Sequence, residues 1–310
     1  MGAYDLSVIV VSYNCRRWLR PALTSVYDRA GTIALEVIVV DNGSDGAGDL
    51  VRREFPAARV VTIANHGFAH ANNRGLEVAR GRHVLYLNPD TKLLSSTLER
   101  LIAVMDARPS IGIASVRQVT EEGILSPSMK RFPSPLRALA EALGAERLPA
   151  RLRCLGERDL RMERYERETR CEWLAGCFML ARREAIDASG PMDERFFLFS
   201  EETDLCRRVH RRGWEIVHLP YMTILHHEGK AGIDPTLEAQ MTYARMQYAD
   251  KHFSTLRRHA YAGALALRHL LRAAAFGQRG GGDPRGVAAR RSLAVLAGRE
   301  GSPFATHRHP

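Results

Sequence analysis

The sequence predicts an α/β fold: a mostly parallel sheet flanked by helices, followed by a helical C-terminal extension. Short β-branched apolar runs alternate with helical patterns through the first 115 residues, the rhythm of strand–helix–strand units. The runs are apolar along their whole length rather than at every second residue, as in strands covered on both faces. Three polar clusters, Ser12-Tyr13-Asn14, Asp41-Asn42-Gly43-Ser44 and Asn88-Pro89-Asp90, fall where runs end. That is the carboxyl edge at which parallel sheets bind ligands.

Leu6–Ser12 is the first strand, and Arg16–Arg29 follows with Trp18, Leu19, Leu23 and Val26 at helical spacing. Leu35–Val40 repeats the strand signature and ends in a turn cluster at Asp41–Gly46. A short helix leads to a third strand, Arg59–Ile63. Phe68–Arg80 is helical and stops at Gly81; His83–Leu87 is the fourth strand, and Thr97–Ala107 is helical before Pro109. Residues 118–170 break the rhythm: Pro127, Pro133, Pro135 and Pro149 interrupt an Arg/Glu-rich stretch, which reads as an inserted or variable segment. Cys171–Ala181 is again strand-like. Ser200 is a candidate N-cap for a helix over Glu201–Arg212, ended by Gly213. Trp214–Leu219 and Met222–Leu225 are strand-like, and His226-His227 follows.

The chain has 310 residues, 45% hydrophobic and 26% charged, which excludes a disordered or disulfide-stapled class. We divide it into a domain over 1–250, with a nucleotide-binding half at 1–115 and an acceptor half at 116–250, and a basic extension over 251–310. Net charge is +10, and residues 251–310 hold eleven basic against two acidic side chains, +9 of that total. The main body is nearly balanced, which argues against nucleic acid as a partner. The five cysteines have no C-x-x-C spacing, and a reduced, cytoplasmic setting is the expectation. Leu6–Val11 is too short for a signal sequence, and no run approaches the roughly 18 apolar residues of a membrane span.

A G-x-G-x-x-G after the first strand is absent, as is a P-loop. A nucleotide diphosphate here would need its charge neutralised by a cation on carboxylate oxygens. Asp90 stands at a strand tip behind Pro89, whose ring restricts the local backbone; an Asx turn closing the strand is the alternative. In Glu201-Glu202-x-Asp204, set Glu202 at 0° and advance about 100° per residue. Leu205, Val209 and Cys206 then fall at about 300°, 340° and 40°, so Glu202 shares the apolar face, with Glu201 beside it and Asp204 off it. Burial raises a carboxyl pKa, which prepares a general base; acids in a first turn also simply suit the helix dipole. His226, at a strand end, is a candidate metal ligand.

These motifs, S-Y-N, V-D-N-G-S, N-x-G-F-A-x-A-x-N-x-G, L-N-P-D-T and D-E-R-F-F-L-F-x-E-E-x-D-L-C-x-R, occur in this order over residues 5–230. The chain resembles the inverting family 2 glycosyltransferases of GT-A fold, most of all the rhamnosyltransferase-type members that build bacterial cell-surface polysaccharides. The resemblance implies that Ser12, Tyr13, Asn14 and Asp41 hold the base and ribose, with Asn73 and Gly75 near the ribose-phosphate. L-N-P-D-T takes the place of D-x-D: Asp90 would bind Mg²⁺ or Mn²⁺, Asn88 replaces the first acid, and His226, in His226-His227-Glu228-Gly229, would complete the metal shell. Glu202 takes the position of the catalytic base, with Glu in place of the family's Asp. Trp173, Asp193, Glu194 and Glu201 would flank the acceptor.

The implied reaction moves a sugar, rhamnose or a related deoxyhexose, from a nucleotide-diphosphate donor to a lipid-linked or polysaccharide acceptor. The alternatives are a hexose or N-acetylhexosamine transferase and a catalytically silent sugar-nucleotide or glycan-binding module. In the extension, Arg257, Arg258, Arg268 and Arg272 share one helical face, and Leu256, Leu267, Leu270 and Leu271 another; Leu265 breaks the pattern. A basic amphipathic helix over 251–275 suits an anionic membrane surface, here the inner face of the plasma membrane; a helix packed on the catalytic domain is the alternative. Gln278–Pro284 reads as a linker.

Overall fold

The computed structural model describes residues 4–145, 155–227, 234–276 and 283–304. The chain forms two compact units: residues 1–130, 161–193 and 202–228, and residues 131–160, 194–201 and 229–310.

The first unit contains every described strand. They are β1 (Tyr4–Ser12), β2 (Leu35–Asp41), β3 (Arg59–Thr62), β4 (Gly81–Leu87), β5 (Thr91–Leu93), β6 (Ile111–Val119), β7 (Met129–Lys130), β8 (Thr169–Arg170), β9 (Trp173–Leu174), β10 (Phe178–Arg182) and β11 (Glu215–His226). The main sheet runs β3-β2-β1-β4-β10-β6-β11-β5, with β8 beside β11; β7 and β9 form a separate ribbon. β3, β2, β1 and β4 are parallel neighbours, and β10 lies antiparallel between β4 and β6. Helices α1 (Arg16–Asp28), α2 (Ala47–Glu54), α3 (Phe68–Val78), α4 (Leu98–Ala107) and α6 (Arg183–Ser189) lie between strands in sequence. The core joins Val8 and Val10 of β1 to Val37 and Val39 of β2, Leu19 and Leu23 of α1, and Leu101 and Met105 of α4. The expected α/β class and mostly parallel sheet are therefore present.

Several local features differ from expectation. The strand β6 has no counterpart in the sequence reading; its polar Ser115 and Gln118 disguise it, yet both are fully buried. The single strand read over Cys171–Ala181 is two, β9 and β10, in different sheets, and the break falls at 175–177. Ser200 is not in the extended conformation usual for a capping residue: Phe199 and Ser200 have φ of +71° and +68°. The 118–170 segment carries β7 and the helix α5 (Pro135–Ala142), with residues 146–154 outside the described set.

The second unit is helical, with α5, α8 (Pro235–His252), α9 (Thr255–Phe276) and α10 (Pro284–Leu296). The expected helix over 251–275 exists, and Arg258, Arg268 and Arg272 of its basic face are paired with acids. Tyr261, Ala264, Leu265 and His269 form its buried face. Arg268 pairs with Glu141 at 3.5 Å, Arg272 with Glu238 and Arg258 with Asp250, while Arg257 lies over the Phe253 ring. Acids on α5 and α8 supply counter-charges, so the basic side turns inward. Leu265, the exception to the pattern, packs with Ala138 and Tyr261, and Leu256, Leu270 and Leu271 are exposed. The glycines of the Gln278–Pro284 linker lie outside the described residues. Among the described residues no helix is long and apolar enough to cross a membrane.

Candidate active site

The site of the first unit is built where β1, β2 and β4 end. Ser12 pairs in register with Asp41, and Val10 with Leu87. Ser12, Asp41 and the Asn88–Asp90 turn therefore stand side by side on three neighbouring strands, each about 4.8 Å from the next.

Two loops interlock at the β1–β2 end. The Asp41 carboxylate accepts N–H bonds from Gly43 (3.2 Å) and Gly48 (2.8 Å), the second in the first turn of α2. Asn14, at φ +53°, accepts from the Ser44 N–H at 2.9 Å through its Oδ1. A Cβ on Gly43 would stand 2.6 Å from the Asn14 nitrogen, so only glycine lets the loops close. Tyr13 is left 51% exposed, its ring open to stack a planar group. The Ser12 hydroxyl is buried without a partner among the described residues.

Asp90 and His226 meet because β5 pairs antiparallel with β11, setting His226 opposite Thr91. His226 Nε2 is 3.4 Å from Asp90 Oδ1, and the His227 N–H donates to the Asp90 carbonyl at 3.1 Å. Trp18, in the first turn of α1, stacks on His227 at 4.3 Å between centroids, and His227 Nδ1 contacts Glu121 Oε1 at 2.5 Å. Among the described residues no group of three or more His, Cys, Asp or Glu side chains could hold a metal by itself. A carboxylate and an imidazole this close do fit a divalent cation whose other ligands are phosphate and water oxygens.

The break between β9 and β10 ties the carboxylates together. The Cys177 carbonyl accepts the Asn88 N–H at 2.9 Å. One residue back, a Cβ on Gly176 would meet Glu202 Cβ and Cγ at 3.5 Å and Cδ at 3.8 Å. Glu202 lies in the first turn of α7 (Glu201–Arg211), and its Oε2 is buried without a partner among the described residues. Burial raises the carboxyl pKa above the usual range; the Lys130 ammonium and the N–H groups of Glu202 and Thr203 pull it down. Trp173, 4% exposed, lies under Lys130 Nζ at 4.3 Å from the ring centroid.

Two further expected residues, Asn73 and Gly75, are engaged by the protein itself. Gly75 faces the sheet: a Cβ there would stand 2.5 Å from Ile9 Cγ2. Asn73 is a clip, its amide donating to the Met192 carbonyl at 2.8 Å and accepting from the Met192 N–H at 3.0 Å. This holds Asp193 beside it. Glu194 is exposed and Glu201 is 4% exposed, both in the second unit. Sequence reasoning missed Asp204: placed off the apolar face, it is fully buried and pairs with Arg208 at 2.8 Å. Arg208 also donates to the carbonyls of Gly190 and Pro191 at 2.8 and 2.7 Å. The i,i+4 Asp–Arg spacing was the available signal. Lys130 was missed as well.

The carboxylate–imidazole pair and Glu202 thus lie in the same unit, joined through Gly176-Cys177. The profile of Glycosyl transferase family 2 matches residues 7–188, and the chain belongs to that family. It is 30% identical to the N-acetylglucosaminyl-diphospho-decaprenol L-rhamnosyltransferase of Mycobacterium tuberculosis, over 86% of this chain and 92% of that protein. It is 20% identical to the rhamnosyltransferase WbbL of Escherichia coli, over 71% and 82%. Among solved structures, the mannosyltransferase PcManGT of Pyrobaculum calidifontis in complex with GDP-Man and Mn²⁺ aligns with a TM-score of 0.56 at 18% identity. That alignment covers 96% of this chain and 87% of that one. The fold is GT-A, and the chain is a glycosyltransferase.

Proposed function

We propose that the enzyme is an inverting transferase that moves rhamnose from a nucleotide-diphosphate donor to a hydroxyl of a diphosphate-linked lipid glycan, as a step in cell-surface glycan synthesis. One observation carries this reading: Asn88, two residues before Asp90, bonds the Cys177 carbonyl, and Glu202 packs on the adjacent Gly176, so the cation-binding turn and the base are tied to neighbouring residues. The acceptor class rests on the mycobacterial relative, which matches over nearly its whole length.

Ser12, Asn14 and Asp41 bind the nucleoside, with Tyr13 stacked on the base. Asp90 and His226 would hold the divalent cation, Mg²⁺ or Mn²⁺, which when bound neutralises charge on the departing diphosphate. Glu202 takes the proton from the acceptor hydroxyl, which attacks the anomeric carbon opposite the nucleotide, so configuration inverts. Trp173 and Asp193 flank the acceptor sugar. A lipid-linked acceptor is met at a membrane, and the exposed leucines of α9 are the groups available to touch it.

The test is a panel of sugar nucleotides, with and without Mn²⁺, against a short-chain diphospho-N-acetylglucosamine acceptor. Cation-dependent transfer of rhamnose with inversion is expected. Transfer of a hexose instead would replace the donor assignment, and absence of turnover with every donor would refute the reading.

A further inference from the structure

The segment Trp173–Cys177 works as a ruler across the site. Cys177 binds the Asn88 backbone ahead of Asp90, Gly176 packs on Glu202, and Trp173 pairs with Lys130 in the β7–β9 ribbon. Its four steps span at most about 14 Å. Lys130 and Asp90 are therefore tied to opposite ends of this segment, with Glu202 between them.

Lys130 is the cation whose charge acts on the Glu202 carboxyl. Arg117, Arg170 and Arg208, on neighbouring elements of the same unit, each end on a carboxylate. Beyond this through-space pull on Glu202, Lys130 makes no close ion pair among the described residues; its contact is the Trp173 ring. The ribbon continues where Ser128 accepts the Ala175 N–H at 3.0 Å. Residues two apart on an extended strand share a face, so Ser128 and Lys130 point the same way. The Ser128 hydroxyl is buried, on a residue 1% exposed, and unpartnered among the described residues. An unpaired ammonium and an unused hydroxyl on one face, fixed over an indole, make a donor set for an anion.

We propose that Lys130 and Ser128 form an acceptor subsite for the phosphate through which the acceptor sugar is attached to its carrier. The inference rests on the proposed function and deepens it. With the attacking hydroxyl at Glu202, the sugar ring extends toward Trp173 and its anomeric phosphate reaches Lys130. Donor and acceptor diphosphates then occupy opposite sides of the base, each with its own counter-charge. Lys130 thereby selects phosphate-linked acceptors over neutral glycosides.

Two probes test this, farnesyl-diphospho-N-acetylglucosamine and octyl N-acetylglucosaminide, each in equilibrium binding and in transfer. K130M weakens binding of the diphosphate probe, and raises its KM, by about tenfold, which is about 1.4 kcal/mol; the affinity for the neutral probe is unchanged, while kcat shifts alike for both probes through Glu202. K130R recovers most of the loss, and S128A gives a smaller loss of the same kind. If K130M weakens binding of both probes equally, or of neither, the subsite is wrong, while wild-type transfer would still support the proposed function. If the wild-type protein binds the diphosphate probe through Lys130 but transfers nothing to it, the subsite stands and the proposed function falls.

Discussion

Replacing Glu202 by Gln removes basicity and little volume. General-base catalysis contributes about 10²–10⁴-fold, so kcat should fall by that factor while donor affinity changes less than about threefold. Glu202→Asp is the finer probe. It withdraws the carboxylate by one C–C bond, about 1.5 Å, to the level now held by Cγ, 3.5 Å from the Gly176 position. Misplacement on that scale costs about 10²-fold. The pH profile supplies a second readout. Burial holds the Glu202 carboxyl above its ordinary value of 4.5, and the base works only when ionised. The acid limb of kcat/KM should therefore lie above pH 4.5 in the wild type and vanish in the Gln variant. A raised native pKa means that stability is lost as pH rises through it, so Glu202→Gln should be more stable than wild type at neutral pH. Loss of turnover combined with a higher Tm is the expected signature, read by coupled transfer assay and thermal unfolding. A Gln variant retaining more than about a tenth of wild-type kcat would refute the role, since that loss is below the range for a general base.

Three further outcomes follow from packing and charge. Arg208→Met strands the fully buried Asp204 and should cost about 3–5 kcal/mol in urea unfolding; a loss below about 1 kcal/mol would mean that the pair is not a buried one. Gly75→Ala forces a methyl against Ile9 and should cost about 1–3 kcal/mol, with donor Kd unchanged; weakened donor binding at full stability would restore Gly75 to the nucleotide site. His83 is buried in β4 and desolvation depresses its pKa to about 4, with Asp106 opposing and Arg182 and Arg82 assisting. The unfolded chain takes the proton first, so stability should fall as pH drops below 6.5 and level off near 4. About 2 kcal/mol is lost by pH 5, and unfolding of His83→Leu should lack this component.

The donor half was legible because its strands are unbroken apolar runs. Val8–Val11 and Val37–Val40 are buried on both faces, and the polar clusters after them had no role in the core. β6 was opaque because the pattern of Ser115 and Gln118 resembles a surface, although both are enclosed. The β9–β10 break was hidden because Trp173–Ala181 is continuously apolar and nothing local marks the change of sheet. Yet that break sets the spacing of Asp90 and Glu202. The periodicity of α7 gave the orientation of Glu202, while Asp204 could be read only with its partner Arg208 in view. On α9 the helical wheel separated the basic and leucine faces but could not say which one packs, because the deciding acids, Glu141, Glu238 and Asp250, lie on other helices.

The stack of Trp18 on His227 gives the protein an optical reporter of its own. Indole emission depends on what lies against the ring, and here that is an imidazole whose backbone N–H holds the Asp90 carbonyl. Movement of the Asp90–His226 pair on loading thus reaches the indole without a dye. The remaining tryptophans, Trp173 and Trp214, can be silenced as phenylalanine to leave that one signal.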